Sequence, residues 1–87
     1  MARMEVGDIG SAGAPANTAD LFFELGLKYC LGKGVDRDYV AAHKWFNLAA
    51  LKGNAAARDY RSEIAREMDT VQIAEAQRQA RDWLTVH

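Results

Sequence analysis

Cysteine, proline and histidine are scarce in this 87-residue chain, which holds one, one and two of them. The single cysteine, Cys30, cannot close an intrachain disulfide and fits a reducing compartment. His43 and His87, even with Cys30, fall short of the three or four converging ligands that a zinc site needs, so no metal is expected. An excess of charge is missing too. Eleven Lys and Arg face twelve Asp and Glu, a formal net charge of -1, and no basic run interrupts the mixture. That pattern carries no electrostatic footprint for nucleic acid or for an anionic membrane. No apolar run is long enough to cross a bilayer. Glu5 and Asp8 break up the first stretch, so a secretory signal is not expected, and a cytoplasmic location is the simplest expectation.

Catalytic groupings are also wanting. No Ser/His/Asp or Cys/His arrangement can be assembled from so few candidates. The Gly32-x-Gly34 pair lacks the preceding strand and the third glycine of a dinucleotide fingerprint. The sequence therefore predicts no catalytic residue, no cofactor and no enzyme activity.

What the chain has is helix. Residues 1–17, rich in Gly, Ala and Ser, are expected to form a flexible tail that cannot offset its own ordering entropy. Residues 18–87 are expected to form the folded domain. A first helix is predicted from about Ala19 to Leu31, capped by Asn17 or Thr18 and stopped at Gly32. A second starts near Asp36 or Asp38 and runs to Lys52, with Gly53 and Asn54 at its exit. A third spans roughly Ala55 to Glu67, with Ala57, Tyr60, Ile64 and Met68 three or four apart. The fourth opens on Asp69-Thr70-Val71-Gln72, a capping-box pattern, ahead of Ile73, Ala76, Ala80, Trp83 and Leu84. Runs such as LFFELGL lack the turns and β-branched content of strands. The fold class is all-α, and short connections predict antiparallel neighbours.

The spacings inside 25–53 predict close packing. Gly26 sits beside Leu25 and Tyr29 and costs about 0.5–1 kcal/mol in a helix interior, so a close helix contact should offset it. Ala42, Trp45, Ala49 and Ala50 offer a small–large–small face opposite. Gly32 and Gly34 permit a sharp reversal, with Val35 tucked beneath.

Together, Leu25, Gly26, Tyr29, Gly32, Gly34, Val35, Asp38, Ala42, Trp45, Ala49, Ala50, Gly53 and Ala57 resemble a Sel-one-like repeat, a relative of the tetratricopeptide repeat. The match covers about 35 residues. Leu21 departs from it, being bulkier than the small residue that usually opens the unit. Where a following unit would carry Leu-Gly, Arg61 and Ser62 stand instead. The resemblance implies a short α-α superhelix of two antiparallel helix pairs: a repeat hairpin over 18–53 and a capping pair over 54–87. Capping units turn a polar face outward, a role suited to Arg58, Asp59, Glu63, Arg66, Glu67, Arg78, Arg81 and Asp82. Some cysteine-rich relatives have been linked to hydrolase-like activity; with one cysteine, that link does not carry over.

One feature exceeds the needs of a hairpin. Leu21, Leu25 and Tyr29 are assigned to the hairpin contact. Phe23, Leu27, Cys30 and Leu31 then form a second apolar stripe with Phe22 nearby, and Glu24 and Lys28, four apart, form an expected ion pair. Either the last two helices cover that stripe or another chain does. The resemblance implies an adaptor or scaffold whose first helix lines a binding groove. The expected partner-binding residues are Phe22, Phe23, Glu24, Leu27, Lys28 and Leu31. The partner is another protein or peptide, with a homodimer through the same face as the alternative.

Overall fold

Four helices follow one another in the computed structural model, which describes residues 17–87. The expected tail lies outside the described residues, except for Asn17. That residue caps the first helix, α1 (Thr18–Leu31), by accepting a hydrogen bond from the Ala19 N–H at 2.8 Å. Asp20 in the first turn and Lys28 in the last complement the helix dipole. At the far end Gly32 adopts the left-handed conformation (φ 71°) and donates its N–H to the Lys28 carbonyl. Gly34, also at positive φ, completes the reversal. The Asp38 N–H then reaches back to the Tyr29 carbonyl at 3.0 Å and closes the loop. Of the two candidate caps for the second helix, α2 (Tyr39–Leu51), Asp38 is the one used; its carboxylate accepts from the Ala41 N–H.

Asn54 caps the third helix, α3 (Ala55–Ala65), which ends two residues earlier than expected in a turn over 66–68. Asp69 and Gln72 form the complete capping box of the fourth, α4 (Thr70–Val86). Among the described residues there is no strand, and no helix is long and apolar enough to cross a membrane.

The core forms around α2. Ala42, Phe46, Leu48 and Ala49 are all fully buried, and α2 makes the principal contact with each of the other three helices. From α1 come Ala19, Phe22 and Gly26, from α3 Ala57 and Ile64, and from α4 Ala76 and Ala80. Gly26 does mark a close approach, but its opposite number is Phe46 and not Trp45. A Cβ built on Gly26 would overlap the Phe46 ring. Phe46 points between α1 and α3, whereas Trp45, one position earlier on the helix, is turned towards α4 and is only half-buried.

Two triangles of aromatic rings hold the helices together. Phe22, Trp45 and Trp83 join α1, α2 and α4, with ring centroids 5.1–5.9 Å apart. Phe23, Phe46 and Tyr60 join α1, α2 and α3 at 5.2–5.7 Å. Separations of this size, several of them edge-to-face, match the favoured geometry of aromatic pairs. The second helix pair needs correcting. α3 and α4 are consecutive but share little contact, because each docks on α2 independently. The connector between them is four residues, 66–69, and its Met68 is buried in the core. The charged positions expected on the surface of this half, from Arg58 to Asp82, are all exposed.

Candidate functional site on the outer face of the first helix

The helical repeat divides α1 into two sides. Ala19, Phe22 and Gly26 look inward and are buried, flanked by the half-buried Phe23, Tyr29 and Cys30. On the other side Leu21, Glu24, Lys28 and Leu31 follow at spacings of three, four and three, and all four are exposed. Leu21 keeps 51% of its surface in solvent and Leu31 58%, a large share for leucines on a helix whose inner side is already packed. Leu25 and Leu27 flank this row, half-buried. An open groove of about 610 Å³ runs along it; Leu21, Phe22, Leu25 and Leu27 supply its apolar lining, and Glu24, Lys28 and Lys33 its charges.

The six expected contact residues therefore part company. Glu24, Leu27 and Lys28 line the groove, and Phe22 contributes to its wall. Phe22 is nonetheless a core residue, covered by Trp45 and Trp83. Phe23 is half-buried beneath Phe46 and Tyr60 and is absent from the groove lining. Leu31 stands exposed at the C-terminal end of α1. Thus the last two helices cover Phe22 and Phe23, and Leu21 and Leu31 remain outside. Leu21, assigned from sequence to the hairpin contact, is exposed and lines the groove instead, because Phe22, one position on, takes the inward side. Leu25 lines the groove while also packing against the core. Glu24 and Lys28 form no ion pair with each other; among the described residues the ion pairs are Arg66 with Glu63 and Arg78 with both Glu75 and Asp82.

Elsewhere among the described residues, the titratable groups with shifted pKa values fall on three different helices. Glu75 is held down to about 2 by hydrogen bonds from Arg78 and Gln79, all within one turn of α4. Burial pushes the Cys30 thiol up and so lowers its thiolate fraction, against the smaller opposing effect of the Arg37 charge. His43 is buried on α2, and its Nδ1 finds no hydrogen-bond partner among the described residues. Burial first, and the nearby Arg61 charge second, push its pKa down and favour the neutral ring. Arg61 itself donates to the Asn47 side chain at 2.6 Å, linking α3 to α2. Among the described residues no three His, Cys, Asp or Glu side chains converge to hold a metal ion. No family model, curated protein or solved structure matches the chain.

Proposed function

We propose that the chain is a non-catalytic helical module that binds another protein through the outer face of α1, as an adaptor or scaffold does. One observation carries this reading: leucines remain in solvent on a helix whose opposite side is already packed against α2. Exposed apolar side chains in a row, bordered by charge, mark contact sites. Leu21, Leu25, Leu27 and Leu31 supply the apolar anchors and Glu24 and Lys28 the orientation. The proposal extends to ancestry. The α1–α2 hairpin is a Sel-one-like helix pair, an assignment supported by the positive φ of Gly32 and Gly34, the Asp38 cap and the close approach at Gly26. In this reading α3 and α4 act as the cap that ends a tetratricopeptide-like stack.

Site-specific photo-crosslinking tests it. With a photoreactive residue in place of Leu31, covalent protein adducts should form in cell extract. The same residue in place of Gln77, exposed on α4, should give none. Equal yields from both positions, or none from Leu31, would refute the assignment of the face.

A further inference from the structure

We infer that the partner of this face is a second copy of the chain, docked antiparallel, α1 against α1. This rests on the protein-binding reading above and adds the identity of the partner. The row Leu21, Glu24, Lys28 and Leu31 has the three–four–three spacing of a helix-pairing seam, exposed along its whole length. It is also symmetric. Leu21 and Leu31 lie equally far from Gly26, as do Glu24 and Lys28, and so do the flanking Leu25 and Leu27. One two-fold axis at the level of Gly26, on the side facing away from Phe46, satisfies all three relations at once. It sets Leu21 of each copy opposite Leu31 of the other and Glu24 opposite Lys28, each pair made twice, with the two copies of Leu25 along one edge of the seam and the two copies of Leu27 along the other.

Charge fixes the direction. Acid lies towards the start of the seam, at Glu24, and base towards its end, at Lys28, with Lys33 just past the helix, while Asp20 is turned to the Asn54 side chain. Parallel pairing would place like charge on like charge. Antiparallel pairing places acid on base at both ends and opposes the helix dipoles as well. Glu24 and Lys28 are available for this because neither is paired with the other within one chain. Polar residues within a seam specify orientation at some cost in affinity, so a reversible dimer is the expected product.

Sedimentation equilibrium of the full chain reads the outcome. Wild type should dimerise reversibly. Glu24→Lys makes the seam all-basic and Lys28→Glu makes it all-acidic, and each variant alone should associate at least about ten-fold more weakly. Mixed one to one, the two variants should recover the association, because an all-basic seam then meets an all-acidic one. Both positions are exposed, and thermal melts by circular dichroism should confirm that the variants remain folded. Wild type that stays monomeric up to about 1 mM, or variants that fail to recover on mixing, would overturn the second-copy assignment. Adducts to a different protein from position 31, with a monomeric wild type, would sink that assignment alone and leave the protein-binding reading in place.

Discussion

The two aromatic triangles use neighbouring residues to do different work. Phe22 and Trp45 reach α4, and Phe23 and Phe46, one position further along each helix, reach α3. The α3 triangle is centred on Phe46, which is fully buried and fills the space left by Gly26, while Tyr60 on its outer side is 43% exposed. The α4 triangle has Phe22 as its buried member, and its two tryptophans are half-buried. It is fringed by polar groups: Lys44 lies 4.5 Å over the Trp45 ring, and His87 stacks on Trp83 at 4.2 Å. Each triangle thus contains an α1–α2 ring pair, but one is closed around a fully buried ring and the other lies open at a polar rim.

That contrast can be broken at its strongest point first. Phe46→Ala should cost about 3–5 kcal/mol, since it empties the space between α1, α2 and α3 together. Urea denaturation should show a large fall in midpoint, shared by all four helices; a loss confined to one helix would mean that Phe46 is not the common centre. Trp83→Ala should cost less, about 2 kcal/mol, because the ring is only half-buried. Hydrogen exchange should then rise across 70–86 while amides of α3 keep their protection. Equal loss in both helices would show that α3 and α4 depend on each other after all.

The smallest effect concerns His43, on the α3 side of α2. Its folded pKa lies below the ordinary value of 6.5, so below that pH the unfolded chain binds the proton more readily. Stability should therefore fall as the pH drops from 7.5 towards the folded pKa, and His43→Phe should remove that slope. An unchanged slope in the variant would mean that His43 stays solvated.

Much of this arrangement was legible in the sequence where the cause is local. Caps at Asn17, Asp38 and Asp69, the stop at Gly32 and the close approach at Gly26 each depend on residues a few positions apart or on a missing side chain. Trp45 and Phe46 could not be ranked in the same way. Both are large and apolar and adjacent on α2, and only the position of α1 against them decides which ring meets Gly26. Phe22 and Phe23 were assigned outward for a related reason. The rings that cover them, Trp83 and Tyr60, arrive from far along the chain and leave no trace in the periodicity of α1. The leucines of the outer face were only partly legible: Leu31, exposed, and Leu27, half-buried, are read from the stripe, but Leu21 and Leu25 join them only once the inward side of α1 is fixed.

The independent docking of α4 has a consequence for how this helix behaves. Strapped on by four residues, with Trp83 in a cleft between two rings and Ala76 and Ala80 buried in the core, it behaves like a peptide ligand whose receptor is the remainder of its own chain. Short tethers raise effective concentrations to about the millimolar range, so even a weak intrinsic affinity keeps the cleft filled. Cutting the strap would turn an intramolecular fit into a bimolecular one, and the free helix would then leave on dilution.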